Sequence, residues 1–244
     1  METLILFIIF AAGASLGAFA NVLIYRIPRN VSIILPNSFC TKCTMALKWR
    51  DKIPLLSYFL NGSKCRYCKA RIPLFYPLSE FFSGMLAIFC HIYFSATTSA
   101  LAFFFLVLLF YTLSVIDTHF LAIPDSLSFL TLALSLTFAV LYFNKPLLAC
   151  ITCLSFIGFA TFLRLFVGFL TKKETLGEGD LLLFGTIGCT LGAFYGAIAI
   201  FLAAVYALTF ILIAQILRKN KEMIIPFVPF LFLGFLSTFM WQMM

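Results

Sequence analysis

The feature that most constrains this chain is a series of apolar runs, each of a length that suits a helix crossing a membrane. Such a helix needs roughly 20 residues to cross about 30 Å of hydrocarbon. Of the 244 residues, 63% are hydrophobic and 11% are charged, whereas about a quarter of the residues in a soluble domain are charged. This composition excludes a soluble protein, and 32 phenylalanines exclude a disordered one. We therefore expect an all-α polytopic membrane protein with about eight transmembrane helices, at residues 4–25, 77–95, 99–116, 125–143, 147–169, 180–193, 194–217 and 224–243.

The positive charges indicate how these helices are oriented. Ten of the 17 Lys and Arg residues lie within residues 26–71, and six more lie near the C-terminal ends of the fifth and seventh predicted helices or after them. Because cytoplasmic loops carry an excess of Lys and Arg, segment 26–76 is predicted to be cytoplasmic, with both termini on the other side. Glu2 stands where a secretory signal would carry a basic residue, which favours a retained first helix. The basic residues lie between apolar runs, so the lipid bilayer is the expected partner and nucleic acid is not.

The chain is predicted to comprise a first transmembrane helix over 1–25, a small loop domain over 26–76 and a membrane core over 77–244. The loop domain contains two C-x-x-C pairs separated by 21 residues, and no internal repeat is evident. Four thiolates on two tight turns suit a structural Zn²⁺ with no position left for water. Two disulfides are disfavoured in a reducing cytoplasm, and an iron–sulfur cluster is a further alternative. The predicted metal ligands are Cys40, Cys43, Cys65 and Cys68.

Acidic residues at the ends of the apolar runs are the candidate functional residues, because an ionisable group in a membrane is costly. Asp117 ends the third predicted helix, Asp125 begins the fourth and Asp180 begins the sixth. All three are predicted at the cytoplasmic edge of the bilayer. Helix capping is an equal alternative for Asp125, since Asp favours helix N-termini. It does not suit Asp117, whose charge at a C-terminal end opposes the helix dipole.

Two carboxylates that converge share one proton, which is the arrangement that aspartic proteases use to hydrolyse peptides. Gly177 and Gly179, beside Asp180, would let an extended substrate backbone approach closely. A proton-relaying or cation-binding transporter is an alternative, but it predicts acids near the middle of the helices. A metal-stapled membrane scaffold without catalysis is another, in which the aspartates are only caps.

Several motifs resemble those of the type IV prepilin peptidases, membrane aspartic proteases that also methylate their product. Residues 17–29 resemble the G-S-F-x-N-V-x-I-x-R-x-P opening of that family, although Ala18 replaces the usual Ser. Residues 36–58 and 65–80 resemble its cytoplasmic zinc-binding loop. Residues 117–125 match its D-x-x-x-x-x-I-P-D segment, and residues 177–180 match its G-x-G-D motif. The resemblance covers nearly the whole chain.

This resemblance implies specific roles for the acids. The catalytic pair would be Asp117 and Asp180, with Asp125 assisting, in a peptidase core over 77–244. The substrates would be prepilins and pseudopilins, cut after a Gly at the cytoplasmic face of the bacterial inner membrane. S-adenosylmethionine would then methylate the new N-terminus. Because the substrate leader is short and basic, Glu80 and Glu178 are candidate acidic contacts for it.

Two features of the sequence bear on this assignment. The family often follows G-x-G-D with x-K-L, whereas here Leu182 occupies the position of the Lys, and Lys172 or Lys173 is a possible substitute. A full-length cytoplasmic loop favours the bifunctional form over a relative that only cleaves. No soluble S-adenosylmethionine-binding fold with a glycine-rich turn is recognisable, so the sequence assigns no residues to the methyl donor.

Overall fold

The structure, a computed structural model, describes residues 1–172, 177–217 and 225–243 and is helical throughout its apolar runs. Extended pairing within these residues is limited to two isolated bridges, Phe39 with Ala46 and Lys64 with Arg71. Six helices are long and apolar enough to cross a membrane, and one more apolar helix is shorter. The predicted all-α polytopic fold is confirmed. The helices are α1 Glu2–Arg26, α2 Leu56–Leu60, α3 Phe75–Tyr93, α4 Thr97–Phe120, α5 Asp125–Phe143, α6 Pro146–Thr171, α7 Glu178–Leu217 and α8 Val228–Met243.

Helix α7 contains two apolar segments joined at a kink. It is 40 residues long, about 60 Å if it were straight and roughly twice the thickness of the hydrocarbon core. The kink is at Gly192, whose φ of 77° and ψ of −178° are not helical. A positive φ favours glycine because it has no Cβ. The kink lies where the boundary between the sixth and seventh helices was predicted, and the two halves bring the count to about eight.

The chain divides into two compact units, Met1–Ala100 and Leu101–Met244. In the first unit, α1 and α3 pack through small residues. Ser83 Oγ on α3 donates to the carbonyl of Gly13 on α1 over 2.7 Å. A Cβ at Gly17 would lie 2.7 Å from Ser83 Cβ and 3.0 Å from the carbonyl oxygen of Ser79. Close backbone approach at small residues is typical of helix pairs in membranes, where lipid is as apolar as the side chains.

In the second unit, α4 is the most buried of the long apolar helices. Its Phe103 ring lies 5.1 Å from Phe138 of α5 and 4.4 Å from Phe239 of α8, measured between ring centroids. Phe110, about two turns further along the same face of α4, lies 5.6 Å from Phe235 of α8. These aromatic contacts fix the position of α4 between α5 and α8, and with it the position of the acid near its C-terminal end.

Glycines also set the spacing of the other helices in this unit. A Cβ at Gly188 of α7 would lie 2.5 Å from the ring of Phe156 on α6, and one at Gly185 would lie 2.6 Å from Ile157. A Cβ at Gly234 of α8 would overlap the carbonyl oxygen of Ala199 on α7. Helix α7 is therefore held closely by both α6 and α8, which positions its N-terminal turn.

We predict that Gly17→Leu destabilises the first unit, because its side chain has no space between α1 and α3. The expected loss is about 1–3 kcal/mol, the cost of overpacking a close contact. Thermal unfolding of purified protein in detergent measures it as a lower melting temperature. Gly158→Leu on α6 is the matched control, since a Cβ there meets nothing within 4 Å. Equal melting temperatures for the two variants would contradict the packing described for α1 and α3.

Candidate active site and metal centre

Asp117 lies in the last turn of α4, not at its end, because the helix continues four residues beyond the boundary predicted at residue 116, to Phe120. The side chain is only 6% exposed. Its Oδ2 accepts a hydrogen bond of 3.0 Å from the backbone N–H of Val228, the first residue of α8. The positive end of the α8 dipole therefore faces a carboxylate whose charge opposes the dipole of its own helix.

Asp180 is the third residue of α7, and its side chain is part of the helix cap. Its Oδ2 accepts a hydrogen bond of 3.0 Å from the N–H of Gly177, which precedes the first helical residue. This is the backward half of a capping box. The other oxygen, Oδ1, is buried and has no hydrogen-bond partner among the described residues. An unpaired buried acceptor costs about 1–3 kcal/mol, so capping accounts for only one of the two oxygens.

The structure brings Asp117 and Asp180 together within the second unit. The two carboxylates interact electrostatically, although 63 positions separate them in the sequence. Each is more than nine-tenths buried, and each is oriented by one backbone amide. Two buried acidic groups that interact with each other close to helix ends are compatible with an aspartic dyad.

Asp125 is the first residue of α5 and is exposed. The N-cap position is Pro124 and no side chain caps the helix among the described residues, although the Asp125 carboxylate in the first turn suits the helix dipole. The turn that precedes it contacts the start of α7, since a Cβ at Gly179 would lie 2.7 Å from Ile123 Cγ2. Gly179 is buried in this contact, so its lack of a side chain serves helix packing here. Gly177 is exposed, and a Cβ there would make only ordinary contact, 3.4 Å from Asp180 Oδ2.

The two candidate leader contacts lie in different units. Glu178 is 81% exposed, and its Oε1 lies 3.5 Å from a guanidinium nitrogen of Arg164, which is within α6. Such an exposed pair is weak. In the first unit, Glu80 Oε2 accepts a hydrogen bond of 2.8 Å from the N–H of Leu55. The position of the usual Lys holds a half-buried Leu182, and of its suggested substitutes Lys172 is exposed whereas Lys173 lies outside the described residues.

The two C-x-x-C pairs lie on hairpins with the same hydrogen bonds. Cys40 N–H donates to the carbonyl of Met45, as Cys65 N–H does to that of Ala70. In each hairpin the residue after the second cysteine has a left-handed backbone, with φ of 58° at Thr44 and 57° at Lys69. The loop domain therefore contains a local structural repeat that was not evident from the sequence. The shared C-x-x-C spacing is the feature of the sequence that could have revealed this repeat.

The four cysteine sulfurs form one cluster. All lie within 4.8 Å of one another, and the sulfurs of Cys40 and Cys68 are 3.9 Å apart. Four sulfurs around a tetrahedral metal with bonds of about 2.3 Å are separated by about 3.8 Å, so the cluster fits a metal ion. Amide N–H groups of Cys68 and Tyr67 lower the pKa of the Cys65 thiol to about 7. For Cys43 the Met45 amide acts in the same direction, but desolvation and the neighbouring cysteines outweigh it and raise the pKa to about 11.

Comparisons with known proteins match both halves of the chain. The model of the bacterial peptidase A24 N-terminal domain matches residues 11–94, and that of the type IV leader peptidase family matches residues 102–213. The chain is 30% identical to the type 4 prepilin-like proteins leader peptide-processing enzyme of Escherichia coli O78:H11, over 93% of this chain and 90% of that protein. The chain belongs to the type IV leader peptidase family. This confirms the resemblance expected from the motifs.

Other relatives extend over the same length. The chain is 28% identical to a prepilin leader peptidase/N-methyltransferase of Vibrio cholerae over 98% of both chains. It is also 28% identical to one of Bacillus subtilis, over 96% of this chain and 93% of that protein. No solved structure matches the chain. The two matched models coincide with the two structural units, so the cysteine cluster lies in one and the aspartate pair in the other. The six long apolar helices make this family member an integral membrane protein.

We predict that the purified protein contains about one metal ion per chain and that Cys68→Ser abolishes this occupancy. The reason is that a four-thiolate site loses most of its affinity for the metal when one of its four ligands is removed. Elemental analysis by inductively coupled plasma mass spectrometry measures the ratio of metal to protein. Cys150→Ser is the control, since Cys150 is exposed on α6 and lies outside the cluster. Undiminished metal in Cys68→Ser would show that the cluster is not the binding site.

Proposed function

We propose that this protein is a membrane aspartic endopeptidase that removes the leader of type IV prepilins and pseudopilins and then methylates the new N-terminus. The observation that carries the proposal is the buried pair of Asp117 and Asp180, each oriented by a backbone amide. The names of the Vibrio cholerae and Bacillus subtilis relatives, prepilin leader peptidase/N-methyltransferase, support both activities.

Hydrolysis by this pair requires one shared proton. The ionised carboxylate takes a proton from a water molecule, which attacks the scissile carbonyl carbon, while the neutral carboxyl donates a hydrogen bond to the carbonyl oxygen. Collapse of the tetrahedral intermediate then breaks the carbon–nitrogen bond as the amine takes a proton from the pair. The amide of Gly177 engages only Oδ2 of Asp180 and leaves Oδ1 without a partner in the described part of the chain, and we assign this oxygen to the reacting atoms.

The location of the site supports a substrate that spans the membrane. Both aspartates lie within a turn of a helix end, at Phe120 and Glu178, and the basic segment 26–76 favours a cytoplasmic location for that edge. A prepilin with its basic leader in the cytosol and its apolar helix in the bilayer would present the scissile bond at this depth. We place the protein in the bacterial inner membrane with the active site at its cytoplasmic face.

The remaining predicted site residues are assigned to substrate binding and positioning. We propose that Asp125, Gly177 and Gly179 shape the site around the aspartates, with Gly177 contacting the substrate backbone. The basic loop would repel a basic leader, so we assign the leader contact to Glu178 in the second unit. High exposure of Glu178 and its weak pairing with Arg164 leave it accessible to an incoming cation.

Two cofactors follow from this function. We propose that Zn²⁺ is the metal held by the four cysteines, where it has a structural role because the protein fills all four positions. S-adenosylmethionine, when bound, supplies a methyl group to the amine nitrogen, with the electron pair of the broken carbon–sulfur bond remaining on sulfur. The transporter alternative is disfavoured because these acids lie near helix ends, and the family relationship disfavours the scaffold.

We predict that Asp117→Asn and Asp180→Asn each reduce prepilin cleavage by at least about a thousandfold, a loss of roughly 4 kcal/mol of transition-state stabilisation. Both amides keep an oxygen that accepts the native hydrogen bond, so the fold should be retained. Mass spectrometry of a prepilin incubated with enzyme and S-adenosylmethionine measures leader loss and the gain of one methyl group. Glu2→Gln, at the exposed N-terminus, is the control. Cleavage by either Asn variant at the wild-type rate would exclude the dyad mechanism.

For the leader contact, we predict that Glu178→Gln raises KM for a prepilin about two- to fivefold with little change in kcat, because an exposed charge pair contributes up to about 1 kcal/mol. The effect should disappear with a substrate whose leader Lys and Arg residues are replaced by Gln. Steady-state kinetics on the two substrates provides the comparison. An equal rise in KM on both substrates would rule out a charge contact.

A further inference from the structure

The first unit contains a cavity of about 400 Å³ between α1, the cysteine hairpins and the start of α3. We propose that this cavity binds the methyl donor, S-adenosylmethionine, with Asn21 and Glu80 as its polar contacts. The inference rests on the proposed methyl transfer and assigns that activity a site. The volume is within the range of small-molecule and cofactor sites.

Asn21 supplies a buried hydrogen-bonding group in the wall of the cavity. It is 6% exposed and lies on α1, four residues after the glycine that brings α1 against α3. Its Oδ1 lies 2.9 Å from Ser79 Oγ, which donates to it, whereas its Nδ2 is buried with no partner among the described residues. A buried amide donor without a partner is unfavourable. A ligand in this cavity with an acceptor, such as a ribose hydroxyl or an adenine nitrogen, would satisfy it.

Glu80 supplies a carboxylate in a fixed orientation. It is half-buried on α3, and the N–H of Leu55 bonds its Oε2 over 2.8 Å. Its Oε1 accepts no hydrogen bond from the described part of the chain. The methyl donor carries two positive groups, the sulfonium and the α-amino group, and a half-buried carboxylate favours both. The nearby acid Asp51 is already engaged, since its Oδ1 pairs with Arg66 over 2.9 Å.

The remaining lining suits the other parts of the same ligand. Aromatic rings stack on adenine and attract a cationic sulfonium over their faces. Exposed Lys and Arg side chains at the cavity suit the α-carboxylate of the ligand. The lining includes the aromatic residues Tyr25, Phe39, Tyr58 and Tyr76 and the basic residues Lys42 and Arg71.

The charges of the cavity favour this ligand over the basic leader of the substrate. An extended leader with Lys or Arg residues would meet several exposed cations on its way to a single carboxylate. Arg26, the one basic side chain of the lining that is buried, donates to the carbonyls of Ser32 and Pro36 over 2.7 and 2.6 Å and so serves the fold. A zwitterionic cationic molecule with a carboxylate matches both signs of charge.

The experiment measures binding of S-adenosylhomocysteine to the full-length, metal-loaded protein in nanodiscs by isothermal titration calorimetry. We expect about one site per chain for the wild type and at least a tenfold weaker Kd for Asn21→Leu and for Glu80→Gln. Asn37→Leu, at an exposed position in the same unit, is the matched control and should bind as the wild type does. Metal content and melting temperature verify that each variant is folded.

Irradiation of the wild type with tritiated S-adenosylmethionine, followed by peptide mapping, tests the site without a variant. Labelled peptides from residues 21–80 support the proposal, and labels confined to residues 101–244 overturn it. Wild-type affinity in both variants, or a Glu80→Gln variant that raises KM for prepilin while binding S-adenosylhomocysteine normally, also overturns it. In those cases methylation by the wild type leaves the proposed function intact. A wild type that neither binds the ligand nor methylates the product overturns both.

Discussion

A carboxylate buried in an apolar bundle must be stabilised by donors that the bundle itself provides, and here these are backbone amides at the starts of helices. Asp117 accepts from Val228 at the first residue of α8, and Asp180 accepts from Gly177 at the cap of α7. Neither acid depends on a basic side chain for its bond. This arrangement is compatible with Leu182 at the position where relatives often carry a Lys, because the amides supply the orientation that a cation would otherwise provide.

Close helix packing makes these amide bonds possible. The N-terminal turn of α7 reaches the turn before α5 because Gly179 has no side chain between it and Ile123. Farther along α7, Gly188 lets Phe156 of α6 lie against the helix backbone. Because lipid offers no hydrophobic drive for helices to associate, such close contacts contribute much of the packing energy. The position of the site therefore depends on the glycines of α7, which let this helix approach α6 and the turn before α5 closely.

Apolar length and cysteine spacing predicted most of the fold, whereas the partners of the site residues were beyond the sequence. Hydropathy found the helices to within a few residues but ended the third at residue 116, because Asp117 and the polar residues after it resemble a loop while still forming helical hydrogen bonds. The amide of Val228 has no sequence signal, since every residue but proline carries one, and 111 positions separate it from Asp117. Asn21 did carry a signal, as a polar side chain inside an apolar run, and the structure places it in the wall of the cavity.

The cysteine cluster and the cavity are formed by the same two hairpins, so a metal bound by the cysteines would organise the cavity as well as stabilise the loop domain. Cys40 and Cys65 both line the cavity, one from each hairpin. A segment of about 50 residues has too small a hydrophobic core to fix the cavity-lining residues by itself. Closing the four sulfurs around one ion fixes the hairpins relative to each other, and so fixes the aromatic and charged side chains that they contribute. The aspartate pair needs no such support, because the packed helices of the second unit already position it. Among the described residues, the cluster that could hold a metal ion lies in the first unit, beside the cavity proposed to bind the methyl donor.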